Sequence, residues 1–218
     1  MYTIESLPKG SKILEGGCGQ ANHVFALQQK GFKAVGVDFA PQTVLKLQES
    51  APELQIDLGD VRKLPYRADS FDGYWSLGVI EHFWDGYNEI ASEMARVVRG
   101  GGYLFITFPY MSFLRKWKAK KKIFPVRKGE DNEPEGFYQF ALNPDAVKNN
   151  LSNLGFVPVH ERGLDGLKGL KDEVVLFNKQ LQILYDSTSL SSHITKRLIN
   201  GLISGICGHS ILMIFKKI

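Results

Sequence analysis

Cysteine is almost absent. Cys18 and Cys207 are the only two in 218 residues, too few for a disulfide framework. No apolar run approaches the roughly 20 residues that a membrane-spanning helix needs, and nothing at the amino terminus reads as a signal peptide. An excess of one charge is also missing. Lys and Arg number 27 against 23 Asp and Glu, and a net +4 is too mild to announce nucleic-acid or membrane binding by itself. There is no internal repeat and no low-complexity tract, and no His/Cys/Asp/Glu spacing suggests a metal site. These absences point to a soluble protein in a reducing, cytoplasmic setting. The hydrophobic share of 44% and charged share of 23% exclude a disordered chain, and the length suits one domain over 1–218.

What is present alternates between two periods. Strand-length apolar runs fall at residues 12–14, 34–37, 54–58, 73–77 and 103–108. Helical stretches lie between them. One covers 20–30 and stops at Gly31, a second covers 41–50 and opens with Pro41, and a third covers 85–99. The third carries Ile90, Met94, Val97 and Val98 on one face. Strand–helix alternation with short connections predicts a parallel sheet covered on both sides. A further helix is expected over 143–154, with Pro144 in its first turn and Gly155 after its end. Strands should follow near 156–159 and 210–216. Two long segments, 110–142 and 163–208, remain. In the second, Val174, Phe177, Leu181 and Leu184, then Ile194, Leu198, Leu202 and Ile206, form apolar rows that read as added core or a dimer face.

The first strand delivers Glu15 into Gly16-Gly17-Cys18-Gly19 with a helix directly after. Glycines let such a turn adopt positive φ and let a ligand approach bare backbone beneath free helix N–H groups. A dinucleotide site would want a glycine where Asn22 stands, and Glu15 would repel a pyrophosphate. An ammonium-bearing ligand suits that acid better. Asp38 ends the second strand, where an acid accepts hydrogen bonds from both ribose hydroxyls. Gly59-Asp60-Val61 follows the third strand, the fourth ends in Ser76-Leu77-Gly78-Val79-Ile80-Glu81-His82, and Gly100-Gly101-Gly102 precedes the fifth. Cys18 reads as a small turn residue.

In order and spacing these pieces resemble the class I S-adenosylmethionine-dependent methyltransferases, in the small-molecule branch that includes the quinone-biosynthesis enzymes. Two positions depart from the family pattern: Ala21 replaces its third glycine, and Gly100 replaces a proline. The resemblance implies an α/β, Rossmann-like, doubly wound seven-stranded sheet whose last strand is antiparallel between the fifth and sixth, with helical insertions as a lid. It implies S-adenosylmethionine as cofactor and its demethylated form, S-adenosylhomocysteine, as product. Carried over, Glu15, Gly17 and Gly19 would hold the methionine end, and Asp38 the ribose, with Phe39 near the adenine. Asp60 and Val61 would bracket the adenine edge, and backbone at Ser76 and Leu77 would line the sulfonium side.

Methyl transfer from a sulfonium is an in-line displacement, so positioning does much of the catalysis. Where the acceptor needs a base, His82 at the end of the fourth strand is the candidate, and Tyr110 and Tyr138 are further ones. His82 equally suits a structural role, bonding a neighbouring loop. The Asn/Asp-Pro-Pro-Tyr sequence of nucleobase-amine methyltransferases and the paired-glutamate loop of the protein arginine enzymes are both missing. The expected acceptor is a small molecule methylated at oxygen. About eleven residues precede the first strand, so cover for the site is expected from 110–142 and 163–208. The run Arg115-Lys116-Trp117-Lys118-Ala119-Lys120-Lys121-Lys122 reads either as a solvated face or as contact with an anionic or lipid-linked substrate or an anionic membrane surface. An RNA methyltransferase using that run, and a catalytically silent cofactor-binding scaffold, are the alternatives. Monomer and homodimer both remain open.

Overall fold

Alternation of buried side chains builds the sheet. After the short helix α1 (Tyr2–Ser6), strand β1 (Lys12–Gly16) turns Ile13 to one face and Leu14 to the other, and both are fully buried. A computed structural model describes residues 2–125, 132–174, 176 and 178–218. Along the chain follow α2 (Asn22–Gln29), β2 (Lys33–Asp38), α3 (Pro41–Ser50), β3 (Gln55–Leu58), β4 (Phe71–Leu77), α4 (Asn88–Val97) and β5 (Val98–Pro109). The second half holds α5 (Phe113–Lys120), α6 (Pro144–Asn153), β6 (Phe156–Leu164), α7 (Gly166–Glu173), α8 (Asn178–Asp186), α9 (Leu190–Cys207) and β7 (Ser210–Lys217).

The seven strands lie in the order β3-β2-β1-β4-β5-β7-β6. β1 to β5 pair in parallel, and β7 runs antiparallel between β5 and β6. This is the expected Rossmann-like α/β architecture. One face packs Leu14, Tyr74, Leu104 and Phe215 under α4 and α6, while the other packs Ile13, Ala34, Phe105 and Ile214 under α2 and α3. The chain leaves β1 toward β2 and returns on the opposite side at β4. A crevice therefore opens where the carboxyl ends of β1 and β4 diverge.

Several boundaries shift. A single 3-10 turn, Ile80–His82, precedes α4, so that helix starts at Asn88, three residues later than periodicity suggests. It stops at Val97 because Val98 already pairs with Phe71, and β5 begins there. The glycines after it sit inside the strand as an irregularity: the register shifts between Phe71 and Gly73. β6 runs on to Leu164 because β7 offers an antiparallel partner along its whole length.

Of the segments 110–142 and 163–208 expected to cover the site, residues 126–131, 175 and 177 lie outside the described residues. The described parts of 110–125 and 163–208 pack together as one unit, the cap, beside the carboxyl ends of β5 and β6. The Tyr110 hydroxyl donates to the Ser204 carbonyl at 2.8 Å, which ties the start of one segment to α9. Arg115, 5% exposed, bonds the Tyr110 and His209 carbonyls at 3.0 Å each and the Glu173 carboxylate at 2.8 Å. Lys118 meets the same carboxylate at 2.6 Å. Of the two readings of the apolar rows in the second segment, added core or a dimer face, the first does not hold for the described residues. Val174, Leu181 and Leu184 are half-buried, and Phe177 lies outside the described residues. Ile194, Leu198, Leu202 and Ile206 face outward, each more than half exposed. The inner side of α9 is taken instead by polar groups. Ser204 Oγ accepts the Gly166 N–H at 3.0 Å, and Asn200 Oδ1 accepts that of Leu167 at 2.8 Å.

Candidate active site

The turn after β1 is shaped by what surrounds it. Gly17 has φ +71°, and a Cβ there would lie 2.8 Å from a Val79 methyl, so conformation and space both demand glycine. Ala21 takes φ +58°, the left-handed conformation usually given to glycine. The turn keeps its path without the third glycine, at a strain on the order of 1–3 kcal/mol. No side chain caps α2, so its first N–H groups face the turn unclaimed by any cap. Cys18 is buried in this turn, and burial beside Glu15 and Asp38 pushes its thiol up to about 12. It stays protonated and is a packing residue, as expected.

Glu15 is 3% exposed. One carboxylate oxygen bonds His23 Nδ1 at 2.9 Å, and the other is buried with no hydrogen-bond partner among the described residues. Burial raises its pKa against the opposing pull of His23. Periodicity gave no reason to select His23, which sits one helical turn into the motif and leans on Trp75 with ring centres 5.8 Å apart. Asp38 closes the crevice from the β2 side. Its two oxygens accept the Gly19 N–H at 2.9 Å and the Ala40 N–H at 3.0 Å. Each oxygen keeps a lone-pair site for a ligand hydroxyl. Beside it Phe39 is 77% exposed and Leu58, at the tip of β3, 54%.

Asp60 and Val61 have other engagements. Both Asp60 oxygens are held by the Arg62 guanidinium, at 2.6 Å for the shortest bond, and that arginine holds the carboxyl below its usual range. The Val61 side chain is buried in the core, which leaves its backbone to face a ligand. At the end of β4, Ser76 is fully buried with a hydroxyl unpaired among the described residues, and Leu77 is half-buried. His82 is exposed, and its Nδ1–H donates to the Tyr138 carbonyl at 2.7 Å. That bond leaves Nε2 as the basic nitrogen. Tyr110 is not a base: its hydroxyl is spent on Ser204, and burial raises its pKa.

Two features escaped sequence reasoning. Glu81 is 2% exposed, and burial pushes its carboxyl up to about 7, with one oxygen unpartnered among the described residues. Next to it opens an aromatic cleft of about 700 Å³, lined by Ile80, Phe83, Trp84 and Tyr87 from one side and by Met111, Phe124, Phe137 and Phe140 from the other. Trp84 stacks on Phe140 with ring centres 5.2 Å apart and meets Phe137 edge-on at 5.0 Å. The signal was the aromatic density of residues 82–84 and 137–140.

The model of a methyltransferase-domain family matches residues 14–106, the stretch from β1 through β5 that carries every one of these crevice residues. Those residues are a methyltransferase domain. Relatives of the domain include a tRNA (carboxymethyluridine(34)-5-O)-methyltransferase of Xenopus tropicalis, 28% identical over 72% of this chain and 23% of its own length. They also include a demethylmenaquinone methyltransferase of Beutenbergia cavernae, 25% identical over 83% of this chain and 77% of its own. The chain spans only 23–40% of the length of four curated relatives, the Xenopus protein among them. In fold, a solved S-adenosylmethionine-dependent methyltransferase of Methanosarcina mazei superposes with a TM-score of 0.67 at 16% identity, over 100% of this chain and 97% of its own. A methyltransferase domain of this class takes S-adenosylmethionine as cofactor. The crevice fits that molecule. The unpartnered Glu15 oxygen is an acceptor suited to an ammonium group, and the Asp38 carboxylate, nearly buried at a strand tip, is suited to ribose hydroxyls.

Proposed function

We propose that this chain transfers a methyl group to the oxygen of a small, largely apolar acceptor seated in the aromatic cleft. The observation that carries the reading is the shared wall. Val79 packs against Gly17 of the cofactor turn, and the next residue, Ile80, lines the cleft. A ligand on the glycine turn and one in the cleft would thus meet across residues 76–82. Bound S-adenosylmethionine supplies an electrophilic methyl group on a sulfonium. Glu15 and the 17–19 backbone hold its amino-acid end, Asp38 its ribose, and Phe39 with the Asp60–Val61 backbone its adenine. The stacked rings of Trp84, Phe137 and Phe140 exclude water and orient the acceptor. His82 Nε2 takes the hydroxyl proton as the new bond forms, its ring fixed by the Tyr138 carbonyl.

Incubation with methyl-labelled cofactor and a fractionated cell extract tests this. Label is expected in an organic-extractable small molecule. A second reading, transfer to tRNA, draws on the Xenopus relative and on the lysines of α5. Label in the RNA fraction, with binding that weakens steeply as salt rises, would replace the first reading by the second. Cofactor binding without labelled product from any fraction would mean a silent scaffold.

A further inference from the structure

The helix α9 is inside out. Its inward side carries Ser192, Asn200, Ser204 and Cys207, several of them bonded to the rest of the cap. Its outward side carries Leu190, Ile194, Leu198, Leu202 and Ile206, exposed by 55–78%. Gly201 and Gly205 lie among them with open space around each. A surface helix ordinarily shows its polar side to water, so a continuous apolar face marks a contact.

Charge selects the partner. Residues 110–125 and 163–208 hold eleven Lys and Arg against four Asp and Glu, while the remainder of the chain holds sixteen against nineteen. Two of those four acids, Asp172 and Glu173, are consumed by ion pairs within the cap. Lys120, Lys121 and Lys122 stay exposed, beside Trp117 and Phe113, which are 49% and 70% exposed. Phe113 shares a groove with Gly205, so α5 and the end of α9 present one surface. A second copy would set one basic cap against another. An anionic bilayer accepts both the apolar row and the lysines. Among the described residues no helix is long and apolar enough to cross a membrane, so α9 would lie along the interface.

We infer that the cap docks on an anionic lipid surface through the outward face of α9, with Phe113, Trp117 and Lys120, Lys121 and Lys122 at its edge. The wall of the aromatic cleft includes Phe124 and Pro125, which follow those lysines after Ile123. Docking therefore brings the cleft to the headgroup layer, where a membrane-resident acceptor would enter. That last step alone rests on the proposed function.

Flotation of the full chain with phosphatidylcholine vesicles, with and without phosphatidylglycerol, tests the docking. The protein should float with the anionic vesicles and release at high salt. Lys120→Gln/Lys121→Gln/Lys122→Gln should bind them roughly 100-fold more weakly, and Leu198→Gln/Leu202→Gln roughly 10-fold or more. All five positions are exposed, so circular dichroism should report wild-type folding for both variants. S-adenosylhomocysteine affinity, measured without vesicles, should stay unchanged, so loss of docking is distinct from loss of the methyltransferase reading. Wild-type protein that stays with the buffer, or Leu198→Gln/Leu202→Gln floating as well as wild type, would overturn the inference. So would a wild-type dimer that this pair of changes converts to monomer.

Discussion

Asp38 accepts the Gly19 and Ala40 N–H groups, so its removal has two consequences that separate in measurement. Asp38→Ala should weaken binding of S-adenosylhomocysteine by about 1–3 kcal/mol, and calorimetry on the folded fraction reads that directly. It should also lower the melting temperature without ligand, since two loop N–H groups lose their acceptor. Equal affinity in both proteins would remove Asp38 from the ribose site. Glu81 titrates in the opposite sense to most carboxylates. Its native pKa of about 7 lies above the unfolded value, so the native state favours the protonated form. The stability this provides is full below the unfolded pKa, about 4.5, and is lost as pH rises through 7, by about 3 kcal/mol in all. Glu81→Gln should therefore be more stable than wild type at pH 8, with the gap closing toward pH 4. Parallel stability curves across that range would refute the burial argument.

Helix α5 is held less by its own propensity than by Glu173, which receives both Arg115 and Lys118. Burial alone would raise the Glu173 pKa, but the two cations hold it below the ordinary range. The basic run thus divides: Arg115 and Lys118 are structural and Lys116 reaches Asp145 at 3.9 Å, while Lys120, Lys121 and Lys122 are exposed and form no ion pair among the described residues. Glu173→Gln leaves Arg115 buried with its charge uncompensated and should cost about 3–5 kcal/mol in urea unfolding. The exposed lysine triple should move stability by no more than about 0.5 kcal/mol. In wild type the contribution of the pair should fade as pH drops through the depressed Glu173 pKa. His209, driven to about 4 by burial and by Lys168 and Arg115, gains its charge in the same acid range and weakens the same joint.

Across the molecule, the cofactor crevice belongs to the sheet, and the aromatic cleft proposed for the acceptor belongs to the junction of sheet and cap. Ligands should therefore act on different parts. Hydrogen exchange with S-adenosylhomocysteine should protect residues 16–21 and 38–40 and leave α5 and α9 unchanged. An acceptor bound in the cleft should slow exchange at 137–142, whose ties to the sheet include the Phe140 N–H on the Glu81 carbonyl and the Leu142 N–H on that of Pro109. α5 and α9 should exchange together, because Arg115 and Tyr110 join them through His209 and Ser204. Independent opening of the two would argue against a single cap.

The parallel half of the fold was legible because each buried strand writes an apolar run of strand length, and each turn at the crevice writes a glycine or an acid. Gly17, Asp38 and His82 could be put at the carboxyl edge because strand–helix alternation predicts a parallel sheet, whereas the seven strands with an antiparallel last one were implied only by the family resemblance. The helix opened by Pro144 and closed by Gly155 was readable for the same local reason. Lengths that depend on a partner were not. β5 and β6 extend beyond their apolar runs because Phe71 and β7 pair with the extra residues. The Asp60–Arg62 pair, the Glu15–His23 contact and the burial of Glu81 depend on distances no spacing reports. The row along α9 makes the point most directly. A helical period shows that one side is apolar, but the side that meets water is set by what the other side bonds, and there Ser204 and Asn200 turn inward to satisfy α7.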